Sequence, residues 1–288
     1  MSLTTVELRP LPQHASYSQL TSWLDCGERY FLSRGTTLPD LPSWALIGGS
    51  TVHAVTEKMD RLLYGDGVGC AGDDIREMFL VELQAQLTES MERHHCTEAD
   101  VKVSGRASKA WPDKENRSWW EHNGPAMCMA WRDWQERTPW QLWQTPTGEW
   151  GIELELEVSF GGGPIKLAID RIYEGWGQLI VVDLKSGREP MSIFQLGQYS
   201  AAIEQVYGVR PMYGSYWMSR TGENTAPASL VQYTQKHIDS AFRKFSAAKE
   251  AGIFLPHPSQ FCGSCGVRDF CSAKGTRASE VPRPYMEV

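Results

Sequence analysis

Asp183 and Lys185 lie two residues apart in the run IVVDLKSG. Alternate side chains of a strand leave the same face, so one strand would present this acid and this base together while Val182 and Leu184 turn into a core. Taken alone, such a pair reads as a surface salt bridge. Asp170 in LAIDRI adds a second carboxylate on what reads as the preceding strand of a meander. Pairing the two strands brings the acids together, and adjacent carboxylates repel unless a cation lies between them. Hard oxygen ligands suit Mg²⁺ or Mn²⁺. A cation so held can set a water or hydroxide against a phosphodiester, with Lys185 stabilising charge on the scissile phosphate. Upstream, His53 and Glu57 share a helix face in GSTVHAVTE. Downstream, Gln195 and Tyr199 repeat the four-residue spacing in QLGQY. Each of these two pairs alone is ordinary helix packing.

A second chemistry sits near the C-terminus. FCGSCGVRDFC spaces Cys262, Cys265 and Cys271 as C-x2-C-x5-C. Three thiolates need a fourth ligand to complete a tetrahedral Zn²⁺ site or a cubane cluster. A zinc ribbon would bring a second close cysteine pair, and the sequence has none, but His257 could complete a Cys₃His zinc site. Cys70, Cys96 and Cys128 have no metal-ligand spacing and read as ordinary thiols.

The elements that must position these groups can be read from periodicity. Ser16 or Ser18 could cap a helix through QLTSWLDCGERYFLSR, with further helices over 45–63 and 73–94. The Asp66–Gly67 pair predicts a turn. A basic, irregular connector spans 97–117, followed by a tryptophan-rich helix near 118–137. The period then changes to two, predicting strands at 153–160, 166–173 and 179–185. A helix over 191–206, strands near 212–219 and 229–234, and a helix over 236–250 complete the order. This is an α+β or mixed α/β chain with one catalytic core. It is divided into a mainly helical part at 16–149, a sheet core at 150–251, a cysteine segment at 252–275 and a tail at 276–288.

Eight of the twelve tryptophans fall between Trp111 and Trp150. Trp131 and Trp134 share a helix face, which favours core packing. The competing use is a stacking platform for unpaired bases, with Lys102, Arg106, Lys109, Lys114 and Arg117 attracting phosphates. Glu153, Glu155 and Glu157 alternate with Leu154, Leu156 and Val158 and read as a solvated face, with Glu157 the one considered within reach of a metal.

Composition narrows the classes. Lys plus Arg number 28 against 35 for Asp plus Glu, a formal charge of -7, which argues against a non-specific nucleic-acid coat but not against a local basic channel. With 41% hydrophobic and 22% charged residues, a largely disordered chain is excluded. No apolar run approaches the ~20 residues that span a bilayer, and the first residues lack a signal-peptide pattern. The expectation is a cytoplasmic, intracellular protein. No GxxxxGK[ST] phosphate loop is present, so no motor is expected.

Taken together, His53, Asp170, Asp183, Lys185, Gln195 and Tyr199 resemble, in order, the motif series of RecB-like PD-(D/E)XK nucleases. Gly49, four residues before His53, fits the same pattern, and Ala168 stands where a glycine is common. The resemblance covers roughly residues 18–275. It implies that His53, Asp170, Asp183 and the Leu184 backbone carbonyl bind the metal, Lys185 is catalytic, and Gln195 and Tyr199 position DNA or the lysine. The cysteines resemble the iron–sulfur branch of these enzymes, in which a lone cysteine of the first helix, here Cys26, joins the C-terminal trio around a 4Fe–4S cluster. By this resemblance to the CRISPR-associated Cas-four family and to RecB and AddB nuclease domains, the chain would be a Mg²⁺- or Mn²⁺-dependent DNA exonuclease. Its substrate would be single-stranded DNA or DNA ends, in recombination, repair or CRISPR adaptation. It could be phage-encoded, could form a homo-oligomer, or could work with recombination or CRISPR adaptation proteins. The rival from another class is a catalytically silent iron–sulfur or zinc protein that binds or recruits DNA ends.

Overall fold

Ser16 caps the first helix as its spacing suggests, but the helix stops nine residues later. In the computed structural model, which describes residues 5–39, 41–105, 107–259, 262–263 and 265–283, the segment forms two helices, α1 (Tyr17–Asp25) and α2 (Gly27–Arg34). Cys26 separates them in an extended conformation (φ -166°, ψ 107°), ending α1 and capping α2 with its sulfur. The single helix expected from the sequence is therefore broken at the cysteine. Arg106 and residues 284–288 of the tail lie outside the described residues.

The chain divides into two compact units. One comprises residues 1–40, 157–167 and 235–288, the other 41–156 and 168–234. The first unit holds α1, α2 and α7 (Gln235–Glu250). Tyr30 and Phe245 meet edge to face at 5.5 Å, and the Trp23 indole donates to the Ile253 carbonyl at 2.9 Å. Glu28, 4% exposed, pairs with Arg283 at 2.9 Å and accepts the backbone N–H of Ser272 at 2.8 Å, tying α2 to the cysteine segment.

The second unit holds helices α3 (Trp44–Arg61), α4 (Gly72–His94), α5 (Arg117–Arg137) and α6 (Phe194–Tyr207). Its strands are β1 (Gln141–Leu142), β4 (Gln178–Lys185), β5 (Tyr213–Met218), β6 (Glu223–Asn224) and β7 (Ala228–Ser229). It also holds part of β2 (Ile152–Phe160) and of β3 (Gly163–Gly175), whose hairpin tip belongs to the first unit. The sheet runs β1-β3-β4-β5-β6, with β2 on β3 and β7 on β5. The meander is antiparallel through β3 and β4. The β4–β5 pair is parallel, with α6 as its crossover. The architecture is thus the mixed α/β arrangement expected. The strand anticipated at 229–234 shrinks to β7, and the two-residue strands β1 and β6 are too short to leave a periodic signal.

The tryptophan-rich stretch builds the core of this unit. Trp120 and Trp131 are fully buried. Trp131 stacks on Trp134 at 5.0 Å and meets Trp217 edge-on at 4.9 Å. Arg117 is consumed by Glu98 and Glu121, while Lys102, Lys109 and Lys114 are exposed. Packing, not base stacking, accounts for the buried rings. Among the described residues no helix is long and apolar enough to cross a membrane.

Candidate functional site

Four helix positions begin the site. Gly49, His53, Thr56 and Asp60 follow one another at spacings of four, three and four, which places them on a single face of α3. A Cβ on Gly49 would come within 2.7 Å of the Ser186 hydroxyl, so glycine permits the close approach of α3 to the end of β4. One turn on, His53 Nε2 lies 3.0 Å from the Leu184 carbonyl oxygen. Its Nδ1 lies 3.5 Å from Asp170 and 3.7 Å from Glu153.

The strands supply the rest. The β3–β4 ladder runs from Gly175↔Gln178 to Arg171↔Val182. One residue further, the Asp170 carboxylate takes the Leu184 N–H at 2.6 Å, as a strand carbonyl would. Asp183, 1% exposed, and Lys185 leave β4 together as expected, and close a ring with α6. Lys185 Nζ pairs with Asp183 Oδ2 at 2.5 Å and donates to Gln195 Oε1 at 3.0 Å. Gln195 Nε2 donates to the Tyr199 hydroxyl at 2.8 Å, which in turn donates to Asp183 Oδ1 at 3.3 Å. Every catalytic residue expected from the sequence therefore lies in one connected site.

Glu153 is the member that sequence reasoning missed. Strict alternation made Glu153, Glu155 and Glu157 look equivalent. Yet Glu153, the second residue of β2, has φ 43°, a left-handed conformation rare outside glycine, and its carboxylate faces His53. Glu157 instead pairs with Lys166 at 3.6 Å, 63% exposed, and Glu57 pairs with Arg61 at 2.8 Å. Gly151, just before Ile152, lacks the Cβ that would meet Ile172 at 2.9 Å, and it was the available signal of an irregular strand start.

This donor set fits a divalent cation. Ligand atoms of His53, Glu153 and Asp170 lie within 4.8 Å of one another, the compact candidate metal group among the described residues. Asp183 turns toward Lys185 and Tyr199, but its buried Oδ2 accepts no aligned hydrogen bond. His53 presents Nδ1 to the two carboxylates, while Nε2, on the other side of the ring, is within hydrogen-bond distance of the Leu184 carbonyl oxygen at 3.0 Å. Glu153, Asp170 and Asp183 against Lys185 leave two negative charges when His53 is neutral, which one divalent cation balances.

Without a cation the charges are managed by protons. Burial, reinforced by Asp183 and Glu153 against the counter-pull of His53, raises the Asp170 carboxyl to about 7. Burial works against a charged His53, but Asp170, Glu153 and Asp183 outweigh it and raise the ring to about 9. Metal ligation requires a neutral imidazole and an ionised carboxylate, so protons compete with the metal. Near pH 7, Mn²⁺ is expected to displace one to two protons, and its affinity should rise as pH climbs toward about 9. Calorimetry in two buffers of different ionisation enthalpy reads this number. Proton-independent binding would remove His53 from the ligand set.

The first unit carries the cysteine cavity. Cys26, Cys262, Cys265 and Cys271 line one cavity together with His257. Cys26 Sγ accepts the N–H groups of His257 at 3.4 Å and Arg29 at 3.5 Å, and Cys262 Sγ that of Ser259 at 3.3 Å. His257 Nδ1 lies 3.0 Å from the Asp25 carbonyl oxygen. Cys128 is buried in the core of the second unit, where burial pushes its thiol far up, and Cys70 and Cys96 of the same unit are half-buried.

Comparison with known proteins agrees with this geometry. A family model of the PD-(D/E)XK nuclease superfamily matches residues 14–272. The Gene 69 protein of Mycobacterium phage D29 is 29% identical over 282 residues, covering 89% of this chain and 95% of that protein. The Gene 69 protein of Mycobacterium phage L5 is 27% identical over 297 residues, with the same coverage. Among solved structures, the crystal structure of SSO0001 aligns at 19% identity with a TM-score of 0.29. That alignment covers 43% of this chain and 60% of that one, so the chain spans less than two thirds of that protein.

Proposed function

The chain belongs to the PD-(D/E)XK nuclease superfamily and is thereby a metal-dependent nuclease, and from that premise we propose that it is a DNA exonuclease acting on single strands or DNA ends. The observation that carries this reading is the juxtaposition of the His53–Glu153–Asp170 trio with the Asp183–Lys185–Gln195–Tyr199 ring. His53, Asp170, Asp183 and the Leu184 carbonyl would hold the metal, joined by Glu153. Mg²⁺ or Mn²⁺ bound there supplies a Lewis acid for the phosphate and acidifies a water. Lys185 then donates to a non-bridging phosphate oxygen as charge builds on it. Gln195 aims the ammonium by accepting one of its protons. Tyr199 holds the Asp183 carboxylate in place and ties it to Gln195.

The cysteine cavity supports a subfamily assignment. Cys26, Cys262, Cys265 and Cys271 would hold a 4Fe–4S cluster, in the manner of the Cas-four family and RecB and AddB nucleases. Backbone N–H groups directed at the Cys26 and Cys262 sulfurs favour thiolates as cluster ligands. Bound there, such a cluster would act as a structural staple tying the start of α2 to the C-terminal cysteine segment. The phage relatives favour a phage-encoded enzyme. By the resemblance of its motifs, it would act inside the cell and prepare DNA ends for recombination, repair or CRISPR adaptation.

Anaerobic purification followed by digestion of circular and end-labelled single strands with Mg²⁺ or Mn²⁺ tests the reading. Cleavage confined to end-labelled strands is the expected result. Cutting of circles would replace exonuclease by endonuclease. Metal-dependent binding without cleavage would replace the enzyme by an end-binding protein.

A further inference from the structure

A fully buried arginine lies directly behind the metal group. Arg171 follows Asp170 on β3, and its side chain is 0% exposed. Its Nε donates to Asp60 Oδ2 at 2.5 Å. Its Nη1 donates to Glu153 Oε1 at 3.2 Å and to the Asp170 carbonyl at 2.5 Å, and Nη2 lies 3.5 Å from the Thr56 hydroxyl. The guanidinium also lies over the Trp131 ring at 5.4 Å. Asp60 is clamped in turn: the Trp131 indole donates to its two oxygens at 2.9 and 3.2 Å, and Gln135 donates to Oδ1.

We propose that Asp60 and Arg171 are positioning residues that act through Glu153 to preset the metal site. This rests on the reading of that site as a divalent-metal centre. Burying an ion pair costs desolvation that packed apolar side chains would avoid, so stability alone does not call for one here. What the pair does supply is geometry. The planar fork spans two carboxylates at once, which a lysine cannot do. Glu153 needs such a hold, because its left-handed backbone would relax toward the ordinary strand conformation without one. The same Oε1 that accepts from Arg171 faces His53 Nδ1.

Asp60 has a separate task. Were Arg171 paired with Glu153 alone, its full charge would neutralise that carboxylate and compete with a cation for it. Asp60 takes the short Nε contact and absorbs that charge. Glu153 is left oriented by Arg171 and still anionic toward the metal. The three donors on Asp60 keep it in this role, and this gives the Trp131 N–H a purpose beyond packing.

Mn²⁺ titration of metal-free protein without DNA tests the proposal separately from activity. Arg171→Lys and Asp60→Asn should each weaken Mn²⁺ binding by about 10- to 100-fold. The distinguishing measurement is a double-mutant cycle: in a Glu153→Gln background, neither change should cost further affinity. Trp131→Phe keeps the ring and loses the indole N–H, so it should weaken Mn²⁺ binding in the same direction by a smaller factor. It carries the test if the charge variants fail to fold. Unchanged Mn²⁺ affinity in the folded variants, or equal losses with and without Glu153, would overturn the positioning role. A wild-type protein that binds no Mn²⁺ would instead overturn the metal-centre reading on which the role stands.

Discussion

Lys185→Ala is expected to reduce DNA cleavage by at least about a hundredfold while Mn²⁺ binding stays near wild type. The ammonium is the cationic group of the ring, 26% exposed, and is held by Gln195 and Asp183 without being a metal ligand itself. Removing it deletes a charge that matters most when the phosphate is most negative, so the loss should fall on kcat. Asp183→Ala should behave differently, losing metal as well as activity, because it removes the buried oxygen that no aligned hydrogen bond satisfies. Measuring Mn²⁺ binding beside single-strand digestion separates the two. Near-wild-type cleavage by either variant would mean that the ring is a structural salt bridge and that the catalytic groups lie elsewhere.

Cys26→Ser should have the largest effect on stability. If Cys26 joins Cys262, Cys265 and Cys271 around one cluster, the crosslink closes a loop of about 245 residues, worth roughly 5 kcal/mol on the chain-entropy model. A fall in Tm of about 10 °C or more is the expected scale. Iron content should drop with it, and residues beyond 255 should become sensitive to protease. Cleavage should decline only indirectly. His257→Ala is the control, since a Cys₃His zinc site would lose its metal in that variant and keep it in Cys26→Ser. Full iron retention in Cys26→Ser would exclude Cys26 as a ligand.

Much of the site was legible because its parts sit at fixed intervals on regular elements. Strand alternation gave Asp183 and Lys185 a shared face, and helical spacing gave Gln195 and Tyr199 one. Asp170 followed from the meander. What stayed hidden was hidden for physical reasons. Glu153 occupies an alternating strand whose other glutamates are solvated, and only its left-handed backbone sets it apart. Asp60 stands beside Glu57, Lys58 and Arg61 in the sequence and Arg171 beside Asp170, and charged side chains normally point outward. Their burial depends on meeting each other, 111 residues apart in the chain. The break at Cys26 had a signal in the poor helix formers Asp25 and Gly27 on either side, which the apolar periodicity across the segment obscured, and the thiol itself serves as the cap.

The face of α3 that carries Gly49, His53, Thr56 and Asp60 has a consequence for how this activity can be gained or lost. One helix delivers the close approach, a metal-facing ring, and two partners of the buried arginine. Inserting or deleting one residue between Gly49 and Asp60 would turn part of that face by about 100°, withdrawing several contributions together. Graded tuning along this helix is therefore difficult, and a protein or ligand able to roll α3 would act on the site as an on–off control.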